Sequence, residues 1–169
     1  MSGTFRIELL SGVHQRAELA SGSLVLDRYF QSQASQDMRR RIATCFVAVG
    51  NADSQIGGYY TLSATSVALD ALALQVARKL PRYPVVPAAL LGRLAVQRAH
   101  QGMGLGGALL ADAIQRIARA EVGVFALIVD AKDEPAQRFY EHFGFSLLAG
   151  ENRCLILPID TALKKLASR

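Results

Sequence analysis

The chain offers little with which to hold itself together covalently. Cys45 and Cys154 are its whole cysteine complement, and each stands inside an apolar run, without the paired spacing of a zinc or redox motif. That excludes a disulfide scaffold and leaves two buried, reduced thiols as the expectation. His14, His100 and His142 share no metal-ligand spacing, so no metal is expected. No stretch reaches the roughly 18 uninterrupted apolar residues that a membrane span requires, and the first residues lack the apolar segment of a secretory signal. A cytoplasmic protein with no membrane association is the expectation. Acidic residues are the scarcer charge, 14 against 19 Lys and Arg, giving +5 and a pI near 9.6. The excess favours anionic partners such as a nucleotide cofactor or a nucleic acid, although a generally basic surface needs no partner.

What is present suffices for a core. Hydrophobic residues make up 51% of the 169 and charged residues only 20%, within the size of one domain. With no repeat, linker or low-complexity tract, residues 1–169 read as a single domain. Leu26, Tyr29, Phe30, Gln33 and Ala34 recur at helical spacing, followed by the basic turn Arg39, Arg40, Arg41. Thr44 to Val49 and Ile56 to Ala64 read as two strands joined by a polar turn. Asp70 to Arg78 has helical composition, and three prolines between Pro81 and Pro87 then predict a loop. Ala88 to Val96 reads as a strand, Gly102 to Gly107 as a glycine loop and Ala108 to Ala120 as a helix. Val122 to Val129 is an apolar run, Glu134 to Phe143 a helix, and Phe145 to Leu148 with Arg153 to Ile159 a closing antiparallel pair. The order implies an α/β fold, a mixed central sheet flanked by helices.

Gln101-Gly-Met-Gly104-Leu-Gly106-Gly107 lies between a strand and a helix, where unpaired backbone N–H groups at the helix start can face an anion. A dinucleotide fold would place such a loop after the first strand and an acid some twenty residues on; here the loop lies past mid-chain and Glu121 precedes the next strand. No Gly-Lys-Ser/Thr follows, so a Walker loop is excluded. A glycine-rich connection without ligand is the competing reading.

Leu94-Ala-Val96 followed by Gln101-Gly-Met-Gly104-Leu-Gly106 resembles the Gln/Arg-x-x-Gly-x-Gly/Ala signature of the GNAT acetyltransferase superfamily, and Ala136-Gln-Arg-Phe139-Tyr140-Glu-His-Phe-Gly144-Phe145 resembles its later helix. The resemblance implies the GNAT fold with acetyl-CoA as acetyl donor. It implies that Gln101, Gly102, Met103, Gly104, Leu105, Gly106 and Gly107 hold the pyrophosphate, that Leu94, Ala95 and Val96 pair with the pantetheine arm beside Phe139, and that Tyr140 donates to the departing thiolate. Filling core space next to Phe139 and Phe143 is the alternative for Tyr140.

The only charged residue from Leu90 to Val96 is Arg93, so that strand supplies no carboxylate base. Deprotonating a lysine at neutral pH costs roughly 4 to 5 kcal/mol, an α-amine near pKa 8 only about 1, which tilts the acceptor toward a low-pKa amine. Leu26-Asp-Arg-Tyr-Phe30, Gly57-Gly-Tyr-Tyr-Thr-Leu62, the Pro81 to Pro87 loop and Leu91-Gly-Arg-Leu-Ala-Val96 together resemble the GNAT toxins of bacterial toxin–antitoxin pairs, which acetylate the amino acid of charged tRNA and stop translation. That resemblance implies a ribbon–helix–helix antitoxin and a homodimer. Arg39, Arg40, Arg41, Arg78, Lys79, Arg82 and Arg93 are then candidates for contacting RNA phosphates; a solvated helix face is the competing reading for Arg39 to Arg41, and a core carboxylate partner for Arg93. An acetyltransferase of small amines, or a silent CoA-binding regulatory module, remains open on the residues alone.

Overall fold

A computed structural model describes residues 4–150 and 152–168. Seven strands form one mixed sheet in the order β1-β2-β3-β4-β5-β7-β6, flanked by helices. The chain divides into two compact units, residues 1–63 with 92–113 and residues 64–91 with 114–169.

The first unit opens on β1 (Phe5–Leu9), antiparallel to β2 (Thr44–Gly50) from Phe5 opposite Gly50 to Leu9 opposite Phe46. β2 is buried from Cys45 onward, which is why it reads as an unbroken apolar run without alternation. It pairs antiparallel with the start of β3 (Ile56–Ala68), with a register shift at Ala48/Val49. There β3 lies so close to its neighbour that a Cβ on Gly58 would come within 2.5 Å of the Ala95 carbonyl oxygen. Helix α1 (Leu24–Ser32) starts at Ser23, whose hydroxyl accepts the Leu26 N–H at 3.4 Å. It buries Phe30 against Tyr59, ring centroids 4.5 Å apart, and the Tyr59 hydroxyl donates to the Leu26 carbonyl at 2.6 Å. Full burial of each such side chain contributes roughly 1.5–3 kcal/mol. The expected basic turn is partly helical: α2 (Ala34–Arg39) follows Gln33 directly, and Arg41 turns the chain at φ 59°.

β4 (Val85–Val96), which belongs to the second unit as far as Leu91, pairs parallel there with β5 (Ala126–Asp130) from Ala88/Ala126 to Leu91/Val129. A parallel pair needs a crossover, here carrying α4 (Leu105–Arg119). β5 pairs antiparallel with β7 (Cys154–Pro158), and β7 with the two-residue β6 (Ser146–Leu147). The helix expected from Asp70 shrinks to a 3-10 turn (Leu69–Ala71) and the single-turn α3 (Leu74–Ala77). The expected loop through Pro87 ends early, because Pro87 is exposed inside β4 and uses only its carbonyl, which accepts the Phe125 N–H at 2.9 Å. After α5 (Glu134–His142) comes α6 (Ile159–Ala167), which the sequence reading ended as a strand at Ile159. Both cysteines are buried thiols, and among the described residues no helix is long and apolar enough to cross a membrane.

Candidate functional site

The glycine loop lies in the first unit between a 3-10 turn (Arg98–His100) and α4. Gly102 and Gly104 sit at φ 77° and 86°, a left-handed backbone that side chains rarely adopt. Nothing lies within 4 Å of a Cβ built on either. These glycines are therefore set by backbone shape, and the space above them is open to a ligand. The first N–H to find an acceptor inside α4 is that of Ala108, bonded to Gly104 O at 3.1 Å; the amides of Leu105, Gly106 and Gly107 stand before it, at the positive end of the helix dipole. Leu105 is buried and anchors the helix start, whereas residues 101–104 are exposed.

Polar side chains hold this loop from beneath. The Gln101 amide donates to Ser21 O at 2.7 Å and Val96 O at 2.9 Å, and Gln97 Oε1 accepts the Ala20 N–H at 2.7 Å. The loop before α1 is itself tied by buried Asp27, which accepts the Ser21 N–H at 3.1 Å and the Ser21 hydroxyl at 2.6 Å. Asp27, Ser21 and Gln97 were missed as supports; only the position of Asp27 on the buried face of a helix pattern could have flagged it. The adjoining strand matters too: β4 runs from Gly92 to Val96 beyond its last registered partner in β5.

Tyr140 lies in the second unit, on α5, and is buried. Asp133 caps this helix by accepting the Ala136 N–H at 2.9 Å, and Pro135 sits in its first turn, where a missing donor costs nothing. Phe139 and Phe145 meet the Tyr140 ring edge-on at 5.1 and 5.4 Å. Gly144, at φ 99°, ends the helix and turns Phe145 inward, its N–H bonding Glu141 O at 3.0 Å. Burial pushes the Tyr140 phenol above its ordinary range, so it stays protonated at neutral pH.

The basic candidates divide. Arg39, Arg40, Arg41 and Arg93 belong to the first unit, and Arg78, Lys79 and Arg82 to the second. All are exposed except half-buried Arg93, whose guanidinium lies 3.5 Å from the Tyr29 ring centroid. Arg93 thus finds an aromatic face where a carboxylate partner had been considered.

Residues 24–145 match the acetyltransferase (GNAT) family. The chain belongs to the GNAT acetyltransferase family. As a GNAT chain it is an N-acetyltransferase, and its mixed sheet is the family's fold. It is 36% identical over 164 residues to a tRNA-acetylating toxin of Mycobacterium tuberculosis, across 96% of each chain. A solved structure of AtaT complexed with acetyl-methionyl-tRNAfMet superposes at TM-score 0.87 with 30% identity, covering 96% of this GNAT chain and 99% of that one. A structure of AtaTR bound with acetyl-CoA superposes at 0.83 with 30% identity, covering 98% and 99%.

Proposed function

We propose that this chain is a translation-blocking toxin that acetylates the α-amine of aminoacyl-tRNA with acetyl-CoA. The observation that carries the reading is its 36% identity, across 96% of both chains, to a protein named for acetylating tRNA. Acetyl-CoA fits the residues present: two left-handed glycines under open space and a helix start facing it suit a pyrophosphate. In this reading residues Gln101 to Gly107 hold the pyrophosphate, the backbone of Leu94, Ala95 and Val96 binds the pantetheine arm, and Phe139 lines its path. When bound, acetyl-CoA supplies an activated acetyl thioester. Tyr140 holds a proton at its phenolic oxygen for the leaving sulfur, and its apolar surroundings keep that proton in place.

An α-amine near pKa 8 needs about 1 kcal/mol to lose its proton at neutral pH, consistent with a β4 that brings no carboxylate. Arg39, Arg40, Arg41, Arg78, Lys79, Arg82 and Arg93 supply the positive surface for the RNA backbone. Residues 1–169 act as one acetyltransferase domain, a reading supported by a family match that runs through both units. The protein works in the cytoplasm as a homodimer and is silenced by a ribbon–helix–helix antitoxin; AtaT bound to the C-terminus of the antitoxin AtaR is a structural neighbour.

The test is transfer of label from radiolabelled acetyl-CoA to total charged tRNA, with deacylated tRNA and a panel of small amines alongside. Label on charged tRNA alone is expected. Label on small amines and none on tRNA would keep the acetyltransferase and discard the toxin.

A further inference from the structure

His14, Asp27 and Thr61 are the polar residues buried in the first unit, Thr61 with only 1% of its surface exposed. Two of them are satisfied. His14 Nδ1 accepts the Ser11 N–H at 2.9 Å while Nε2 bonds Glu8 at 2.9 Å, and Asp27 holds Ser21. The Thr61 hydroxyl makes no hydrogen bond among the described residues, yet none of their side-chain oxygens is sealed away without a partner. It therefore opens onto space that a ligand or water can enter. A hydroxyl drawn into the core and left without a protein partner is destabilising, so its presence calls for a reason.

Gly92, on β4, supplies that space. A Cβ built on it would meet a single atom within 4 Å, the Thr61 Oγ1 at 3.3 Å. Its φ lies outside the left-handed region, so, unlike Gly102 and Gly104, it is not demanded by backbone shape. Glycine within a strand then marks a place where something approaches closely. The missing side chain leaves a notch in the strand, and the wall of that notch presents one polar atom, the Thr61 oxygen.

The notch also lies where the reacting end of a pantetheine arm would arrive. Between pyrophosphate and sulfur the arm has about twelve bonds, roughly 14 Å when extended, the reach of about four residues of strand. Counted back along β4 from Val96, next to the glycine loop, that reach ends at Gly92.

We propose that Thr61 aims the acceptor: its hydroxyl, facing the notch at Gly92, accepts a hydrogen bond from the α-amine of the aminoacyl group and so turns the nitrogen lone pair toward the thioester carbon. This rests on the reading of Leu94 to Val96 as the strand that binds the pantetheine arm of a tRNA acetyltransferase. A threonine oxygen offers lone pairs to an N–H and keeps its own proton. Thr61 thus orients the amine without acting as a base, which suits an amine whose pKa near 8 leaves little to remove.

The experiment compares wild type, Thr61→Val, Thr61→Ser and Gly92→Ala. It measures kcat and KM on charged tRNA, melting temperature without ligand, and Kd for CoA and for a bisubstrate analogue whose acetyl bridge joins the CoA sulfur to the α-nitrogen of an amino-acid ester. Thr61→Val is expected to lower kcat and to weaken the bisubstrate about tenfold, the loss of one hydrogen bond. CoA affinity stays within about twofold and the melting temperature does not fall, because the hydroxyl has no protein partner to lose. Thr61→Ser restores kcat to within about threefold of wild type. Gly92→Ala fills the notch and lowers kcat at least tenfold with CoA still bound.

Unchanged kcat and bisubstrate affinity in Thr61→Val, with wild type acetylating tRNA, overturns the proposal and leaves the function standing. A lowered melting temperature together with weakened CoA makes Thr61 a packing residue and also overturns it. Wild type that acetylates small amines but no tRNA discards the toxin reading, and the same comparison on that amine then judges Thr61: a matching loss supports it, and none overturns it. Wild type that acetylates no amine overturns both readings together.

Discussion

The two units prepare their key groups by opposite means. In the first, the glycine loop is exposed, and what fixes it is a lattice of hydrogen bonds to backbone from Gln97, Gln101 and, through Ser21, Asp27. In the second, Tyr140 is buried among Phe139 and Phe145, and its hydroxyl makes no hydrogen bond among the described residues. The difference follows from the charge each must handle. Backbone amides that receive an anion must keep their donors free and facing solvent, so support has to come from behind. A phenol that must stay neutral is best served by apolar walls that make its anion costly.

The contrast can be broken most sharply at Gly104. Gly104→Asp puts a carboxylate at the loop and a side chain at φ 86°, so titration with acetyl-CoA is expected to show affinity reduced at least a hundredfold; normal affinity would place the loop outside the cofactor site. Tyr140→Phe removes only the acidic oxygen from the apolar clamp. Turnover should fall roughly ten- to a thousandfold with acetyl-CoA affinity and melting temperature nearly unchanged, and unaltered kcat would take Tyr140 out of the chemistry. Gln101→Leu removes both bonds to Ser21 O and Val96 O; an increase of several-fold in the acetyl-CoA KM with little change in kcat is expected.

A smaller effect concerns stability in alkali. Burial pushes the Cys45 thiol up from 9.0 to about 12. The folded pKa is above the unfolded one, so the contribution of Cys45 is fully present below about pH 9 and is lost as pH rises toward 12, at no more than about 1.4 kcal/mol per pH unit. Tyr29, Tyr59 and Tyr140 are raised by burial too and add their share above about pH 10. Urea unfolding of wild type and Cys45→Ala between pH 8 and 10 should show a shallower decline in the variant, and parallel curves would remove Cys45 as the cause.

Much of this was legible in the sequence where one strong local pattern decides the outcome. Glycine spacing marked the loop, and the helical spacing of Tyr29 and Phe30 marked the buried face of α1. What escaped was decided by tertiary pairing. β1 is five residues long and is held by its register against β2, more than its own short pattern could declare. Ile159 follows directly on β7 and looks like its continuation, yet its N–H bonds Phe125 O at 2.9 Å and α6 begins there. The supports under the glycine loop escaped for the same reason: Gln97 and Asp27 act on backbone atoms of residues 20 and 21, which spacing along the chain does not bring together. Arg93 was visible as a charge in an apolar strand, but its aromatic seat depends on a helix more than sixty residues earlier.

The most direct test of the account is to identify the atom that receives the acetyl group. Charged tRNA treated with the protein and acetyl-CoA is digested with ribonuclease, and the released aminoacyl-adenosine is analysed by tandem mass spectrometry. The account requires one acetyl group on the α-nitrogen of the amino acid, lost in Tyr140→Phe under the same brief incubation. Acetyl groups found only on lysine side chains of added protein or on small amines, with the aminoacyl-adenosine unmodified, would contradict it.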